Sequence, residues 1–224
     1  MGYEMNDLNQ LILNFDYEQN FKDQDFYVSK NNEFAFKLLN SWPKWEKNFG
    51  NLIGEKFSGK THLVNIFLHK FKGIKIEANE ITNEFLKKVK IFENVVIENF
   101  NDKIDESLFF TLLNIIDQDN KYLILTSKKP IVEHFFKLDD LNSRSKNFLL
   151  SNIEKPGDDL MFALILKNLS DRQISIDKKL IDFIIKRIDR SYGKIFDFIY
   201  KIDKISLKRK KPIDFKIIKE ALGE

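Results

Sequence analysis

The segment GEKFSGKT, Gly54 to Thr61, constrains this chain more than any other part of its sequence. Its spacing is that of a phosphate-binding loop, which connects a strand to a helix. The glycines let backbone N–H groups point at phosphate oxygens, Lys60 supplies a cation, and the Thr61 hydroxyl suits Mg²⁺. An ordinary glycine-lysine turn is the alternative. We expect a nucleotide site at Gly54, Glu55, Lys56, Phe57, Ser58, Gly59, Lys60, Thr61 and His62.

Short β-rich runs alternate with helix-like segments on both sides of this loop. The run GNLIG leads into the loop, and the others span 73–78, 94–99, 121–127 and 146–153. Segments between them, such as ESLFFTLLNIIDQ, space their apolar residues at helical intervals. Buried strands that alternate with helices are typical of a parallel sheet covered on both faces. We therefore predict an α/β fold, with a P-loop three-layer domain over residues 26–155.

The pattern changes at Pro156 and Gly157, where a turn signal interrupts the alternation. Every later segment has helical spacing, and Asp177 and Asp214 are suitable N-cap residues for two of these helices. We therefore predict a small all-helical lid domain over residues 156–224.

The overall composition excludes several kinds of chemistry. Cysteine is absent, so disulfides, thiolate metal ligands and cysteine nucleophiles are excluded. The net charge of +3 is too small to indicate nucleic-acid binding by itself. The sequence contains no signal-peptide pattern and no apolar run of membrane-spanning length. We expect a cytoplasmic protein without a membrane partner.

The run VVIENF, at the end of the strand predicted at 94–99, contains the acidic residue Glu98, which we expect to lie near the loop. Glu98 can reach Mg²⁺ together with Thr61. Asn99 stands where a hydrolytic ATPase would keep a carboxylate, and an amide cannot act as a general base at neutral pH. The alternative is that both residues only cap the strand. We expect a site that binds nucleotide and hydrolyses it poorly by itself.

Further segments fit the same scheme: WPKW before the loop, LILTS in the fourth run, LDDLNSRS after it, and RIDRSYGKIFDF in the helical part. Together with the loop and VVIENF, they resemble the AAA+ ATPases, and within these the Hda-like members of the DnaA-related branch. The resemblance covers nearly the whole chain. It implies an AAA+ nucleotide-binding domain followed by a helical lid.

This resemblance implies roles for several more residues. Thr126 or Ser127 falls at the polar position that senses the γ-phosphate, and we assign Ser127. Arg144 corresponds to the arginine finger, which acts in trans; a surface ion pair is the alternative. Lys194 aligns with the family's second-sensor arginine. Lysine lacks the bidentate fork of arginine, so we expect a weaker and less directional phosphate contact.

The polar tail at residues 1–25 contains the hexapeptide QLILNF. Gln10, Leu11, Leu13 and Phe15 match the family's motif for binding the sliding clamp of DNA polymerase. Alternating apolar anchors can fill pockets while the glutamine amide fixes the register. A core strand could have the same pattern. A polar tail favours clamp binding, because an apolar cluster there needs a partner.

The resemblance implies a regulator of replication initiation that binds ADP or ATP with Mg²⁺. Its partners would be DnaA, whose ATP hydrolysis it stimulates in trans, and the clamp (the polymerase β subunit), through which it contacts DNA indirectly. It would also form a homodimer.

Two other classes of function stay open. The first is a DnaA-related initiator or loader that acts directly on DNA. Against it, the sequence ends at Glu224 without a helix-turn-helix domain. The LKRKKP run at 207–212 has two interpretations, a contact to DNA phosphates and a solvated turn, and we favour the solvated turn. The second is a self-contained ATPase or small-molecule kinase, and Asn99 argues against the ATPase.

Overall fold

A computed structural model of the chain describes residues 26–224. Its centre is a five-stranded sheet with the order β2-β3-β4-β1-β5, in which every neighbouring pair is parallel. The predicted α/β fold is confirmed. The predicted clamp motif at Gln10–Phe15 lies outside the described residues. The strands are β1 Phe49–Ile53, β2 Ile74–Glu77, β3 Asn94–Phe100, β4 Tyr122–Ser127 and β5 Leu149–Asn152.

Both faces of the sheet are covered, as the apolar runs of its strands predict. In β3, Val95 and Ile97 pack with residues of α3 and α4, whereas Val96 packs with residues of α1 and α2. The next strand, β4, repeats this alternation at 123–125. These side chains are fully buried, and each such burial contributes about 1.5–3 kcal/mol. The helices around the sheet are α1 Glu33–Asn40, α2 Lys60–Phe71, α3 Asn83–Val89, α4 Glu106–Gln118 and α5 Asp139–Ser145.

The C-terminal part of the chain is helical. Asp177 and Asp214 are the N-caps of α7 and α9, and the side chain of each accepts a backbone N–H, so both predicted caps are confirmed. The four helices share their own apolar cluster. Leu160 and Tyr192 pack instead with the α1–α2 side of the sheet. The four helices are α6 Asp158–Asp171, α7 Lys178–Ile185, α8 Tyr192–Arg209 and α9 Phe215–Leu222.

Within residues 26–224, no helix has the length and apolar content needed to cross a membrane.

Candidate nucleotide-binding site

The glycine-rich segment forms the connection between β1 and α2. Gly59 has φ +92°, a left-handed conformation that glycine adopts without strain. At Gly54 a Cβ atom would lie 2.5 Å from the Ser58 hydroxyl oxygen, so a side chain there would require Ser58 to shift. The Gly54 N–H donates to the Ser127 carbonyl at the end of β4, at 3.1 Å. The two glycines therefore let the loop fold closely over the carboxyl ends of β1 and β4.

Lys60 places a buried cation inside this loop. Its Nζ donates to the carbonyls of Gly54, at 2.7 Å, and Glu55, at 2.9 Å. Burial, followed by the nearby Lys128 ammonium, lowers the pKa of Lys60 to about 8. Lys60 therefore carries a positive charge at neutral pH that the surroundings do not fully stabilise. An anion bound in the loop would stabilise it.

Glu98, at the end of β3, lies close enough to Lys60 for their charges to interact. Its Oε2 is paired with the Lys75 ammonium at 3.1 Å. Its Oε1 is buried and has no hydrogen-bond partner within the described part of the chain. A buried carboxylate oxygen without a partner is able to accept a cation or a cation-bound water. Among residues 26–224, no three acidic or histidine side chains form a ready-made metal cluster.

Asn99 occupies an irregularity in β3. It has φ +57°, and the register between β3 and β4 shifts at this point. Its N–H donates to the Thr126 hydroxyl at 3.0 Å, which fixes the backbone against β4. Its side-chain amide donates to both carboxylate oxygens of Glu77, at 3.1 and 2.9 Å. The amide is therefore engaged with the end of β2.

Sequence reasoning missed Glu77. The signal was present, because this residue lies within the run predicted at 73–78, one residue before its end. In the sheet, Glu77 pairs in register with Glu98. Carboxyl ends of neighbouring parallel strands meet at one edge of a sheet, so this edge carries a second carboxylate. The sequence did not show which strands are neighbours.

Ser127 ends β4 and is buried in a hydrogen-bond network. Its hydroxyl donates to the Lys129 carbonyl at 2.7 Å and accepts from the Asn51 amide at 2.8 Å. The side-chain amide oxygen of Asn51, Oδ1, in turn accepts the Ile131 N–H at 2.9 Å. In this arrangement the Ser127 hydroxyl already donates its proton to the Lys129 carbonyl, so it is not available as a donor to a phosphate. Asn51, fully buried on β1, was not identified from the sequence.

The loop contacts the helical part of the chain through Glu55. One Glu55 oxygen accepts the Tyr192 N–H at 2.5 Å, and the other accepts the Ser191 hydroxyl at 3.1 Å. A carboxylate at this position satisfies a free N–H of α8 and suits the positive end of the helix dipole. The Phe57 ring lies 5.1 Å from the Phe196 ring, measured between centroids. The loop and α8 are thus joined by polar and apolar contacts.

Lys194 lies in the first turn of α8, the same turn whose N-terminus binds Glu55. Its side chain is exposed and makes no hydrogen bond or ion pair within residues 26–224. Burial, with the Glu55 carboxylate nearby, raises the pKa of the Tyr192 phenol. The phenol therefore stays neutral and donates to the Glu154 carbonyl at 3.1 Å, which fixes this end of α8.

An aromatic cluster borders the other side of the loop. Phe26 stacks on Phe36, with centroids 5.9 Å apart, and meets the His62 ring edge-on at 5.5 Å. A Cβ atom at Gly59 would lie 3.1 Å from the Phe26 ring. Thr61 is exposed at the start of α2. Phe26 was not identified from the sequence, because a single apolar residue beside a polar tail carries no signal.

Arg144 lies on α5 in an ion pair with its own chain. Its Nη1 donates to Asp117 of α4 at 3.0 Å, and its guanidinium lies 5.3 Å from the Phe110 ring centroid. Its side chain is about a third exposed. The contacts hold the guanidinium on the surface of α4.

No family model matches the chain. DnaA from Borrelia turicatae, a chromosomal replication initiator, is 26% identical over 231 aligned residues, which cover 89% of this chain and 48% of the relative. The chain therefore spans about half the length of that curated relative.

Solved structures show the same fold. Domain III of Thermotoga maritima DnaA aligns with a TM-score of 0.74 and 18% identity, covering 91% of this chain and 95% of that one. AMPPCP-bound DnaA from Aquifex aeolicus aligns with a TM-score of 0.67 and 22% identity, covering 84% and 67%. The chain is therefore similar in sequence to DnaA replication initiators and has the fold of domain III of Thermotoga maritima DnaA.

Proposed function

We propose that this chain is an adenine-nucleotide-binding regulator of replication initiation. In this proposal it holds ADP or ATP in the Gly54–His62 loop, docks on the sliding clamp, and stimulates ATP hydrolysis by DnaA in trans. Its own nucleotide is a ligand that stabilises the active conformation and is turned over slowly or not at all.

The observation that carries the nucleotide proposal is the state of Lys60. A buried ammonium held by two carbonyls, with a pKa lowered to about 8, is a prepared anion site. Phosphates would replace the carbonyl oxygens as partners of this cation. The AMPPCP in the related Aquifex DnaA supports the same ligand class.

Features around the loop support a whole nucleotide. The Phe26, Phe36 and His62 rings provide apolar surface beside Gly59, as a base requires. Lys194 and Lys128 are exposed cations that would contact the phosphate end. Ser127 would take part only if its bond to the Lys129 carbonyl were broken.

Thr61 and Glu98 would hold Mg²⁺ with the phosphates, and the unpartnered Glu98 Oε1 fits this role. The metal would supply charge neutralisation at the phosphates.

Weak hydrolysis follows from the position of Asn99. A general base must accept a proton from water, and the Asn99 amide instead donates to Glu77. Glu77 is a carboxylate, but both of its oxygens accept hydrogen bonds from the Asn99 amide, at 3.1 and 2.9 Å. We therefore expect the isolated protein to retain ATP for many times longer than a hydrolytic AAA+ protein does.

The role in trans depends on Arg144 and on the hexapeptide Gln10–Phe15. We propose that Arg144 leaves Asp117 when the chain packs against DnaA, and then contacts the nucleotide of DnaA. An arginine finger stabilises the charge that develops in phosphoryl transfer, by about 10³–10⁵ in rate. The hexapeptide would bring the protein to clamps on DNA.

The test is hydrolysis of ATP prebound to DnaA, with clamp-loaded DNA, in the presence of this protein. We expect the native chain to accelerate hydrolysis and Arg144→Ala to abolish the acceleration. Arg172→Ala is the matched control, because Arg172 is also in a surface ion pair, with Asp203, but lies on the lid. Unchanged DnaA turnover with the native, nucleotide-bound chain would refute the regulatory proposal.

The homology to DnaA itself favours a second candidate, a replication factor that acts directly on DNA. This candidate predicts that the chain acts on DNA without the clamp. Removing the clamp from the DnaA hydrolysis assay separates the two candidates, since only the regulator requires the clamp for its effect.

A further inference from the structure

The last 24 residues carry a local excess of positive charge. Residues 201–224 contain eight lysines and arginines and four acidic residues, a net charge of +4, whereas the whole chain has +3. The excess charge therefore lies on α9, the second half of α8 and the turn between them. Nothing in the nucleotide site uses these side chains.

All four acidic residues of this stretch are already engaged. Asp203 pairs with Arg172, Glu220 pairs with Arg209, and Glu224 pairs with Arg187. The fourth, Asp214, caps α9 by accepting the Ile217 N–H at 2.8 Å. None of these carboxylates pairs with a lysine of the same stretch.

Six lysines of the stretch are exposed and make no side-chain hydrogen bond or ion pair within residues 26–224. The two other basic residues do have partners: Lys201 donates to the Ala221 carbonyl, and Arg209 pairs with Glu220. The six free ammonium groups repel one another, and an anion would stabilise them. We name these six the lysine surface: Lys204, Lys208, Lys210, Lys211, Lys216 and Lys219.

These lysines lie on two helices that pack together, α8 and α9, and on the turn between them. Lys204 and Lys208 are one turn apart on α8, and the next two lie at the turn that follows. Lys216 and Lys219, on α9, line an open hollow of about 600 Å³ together with Arg209 and Phe215. Glu220 and Glu224 line it too, each paired with an arginine. The positive charge therefore extends from α8 across the turn to α9.

We propose that the lysine surface binds the phosphate backbone of duplex DNA without reading its sequence. Lysine ammonium groups are compact point charges, which suit phosphates. When they neutralise DNA phosphates, the counterions condensed on the DNA are released. Reading of bases relies largely on arginine or amide forks, and Arg209 is occupied by Glu220.

A single strand would need free aromatic faces for stacking, in addition to positive charge. Two exposed aromatic residues lie beside the lysine surface. Phe215 is in edge contact with Phe183 at 5.2 Å, which leaves Tyr200, one turn before Lys204 on α8, as a single stacking face against six cations. Duplex DNA is therefore the better fit. This inference goes beyond the proposed regulator, which contacts DNA only through the clamp. It also names residues for the direct DNA contact that the second candidate requires.

The experiment measures binding of the full chain to a mixed-sequence duplex, without clamp, from about 50 to about 200 mM salt. Six lysine–phosphate contacts predict a log–log slope of about −5. The triple variant Lys208→Gln, Lys210→Gln, Lys211→Gln should flatten the slope by about 2.7, and at low salt it should bind at least about tenfold more weakly. The double variant Lys216→Gln, Lys219→Gln, which changes α9 instead of the turn, should flatten it by about 1.8.

The matched control is Lys44→Gln, Lys47→Gln, Lys146→Gln. These three exposed lysines precede β1 or β5, so they lie at the amino-terminal ends of the strands, whereas the loop lies at the carboxyl ends. The control carries the same change of charge and should keep the native slope. Retention of the nucleotide-induced rise in melting temperature would show that each variant is folded, independently of DNA and of DnaA.

Four results would overturn the proposal. They are absence of duplex binding at low salt, equal flattening in the control triple, tighter binding to a single strand than to the duplex, and lysine-dependent binding to anionic lipid vesicles in preference to DNA. Failure of the DnaA hydrolysis test would leave this measurement unaffected, since it contains neither DnaA nor clamp.

Discussion

Two buried lysines at opposite ends of the central strands make the same kind of contact and differ in what surrounds them. Lys60 and Lys121 are 8% and 9% exposed, and each Nζ donates to two backbone carbonyls. Lys121 precedes β4, and its carbonyl partners belong to the connection between α3 and β3. Lys60 follows the glycine loop at the end where the strands terminate.

The difference lies in the surroundings of each ammonium. Lys121 has the Asp119 carboxylate at 3.9 Å. Lys60 has no carboxylate at ion-pair distance among the described residues, and the nearby Lys128 helps to lower its pKa. A lysine that already has a carboxylate closes a connection, whereas a lysine without one is available to a phosphate. The carboxylate partner therefore distinguishes Lys121, a structural lysine, from Lys60, which we propose binds phosphate.

The largest expected effect is loss of nucleotide binding in Lys60→Ala. Removing this cation should weaken binding of ADP and ATP by about 100-fold, since charge-assisted hydrogen bonds contribute about 1.5–3 kcal/mol each. The measurement is the nucleotide-induced rise in melting temperature, with affinity measured by calorimetry.

Lys121→Ala is the matched variant for that comparison. It should leave nucleotide affinity unchanged and lower the free energy of unfolding by about 1–3 kcal/mol, because the Lys90 and Phe92 carbonyls lose their donor. Equal loss of affinity in both variants would show that the comparison is wrong.

A smaller effect is expected from pH. Without nucleotide, Lys60 has a pKa of about 8, and a bound phosphate should raise this pKa. Above pH 8, nucleotide binding is therefore accompanied by uptake of a proton. Affinity should therefore fall as the pH rises, by about tenfold between pH 7 and pH 9. Lys60→Arg, which keeps its charge, should give a flat profile over this range. A native profile as flat as that of the arginine variant would contradict the assigned pKa.

The smallest effect concerns Arg144, a cation that its own chain already pairs. Asp117→Asn should release the guanidinium and raise the stimulation of DnaA about twofold, since a surface pair contributes about 0.2–1 kcal/mol. The free energy of unfolding should change by less than about 1 kcal/mol. Reduced stimulation in this variant would indicate that Asp117 positions Arg144 for its role.

Features set by short stretches of chain were predictable. The five strands follow from apolar runs, and the caps at Asp177 and Asp214 follow from local side-chain chemistry. The loop was identifiable because glycine spacing and the lysine beside it act within a few residues. The domain limits at 25/26 and 155/156 stay predictions, since Leu160 and Tyr192 pack with the residues beside the sheet.

Features that join distant segments were decided by the tertiary structure. Glu77 reaches Asn99 only because β2 and β3 are neighbours, and Glu55 reaches Tyr192 across 137 residues. By itself, then, the sequence determined the strands, the helices and the loop, because those depend on local backbone and side-chain preferences. Strand order and helix packing decided which charges are paired, where the Ser127 hydroxyl donates its proton and which lysines have no partner. They set distances between residues that no short stretch of sequence specifies.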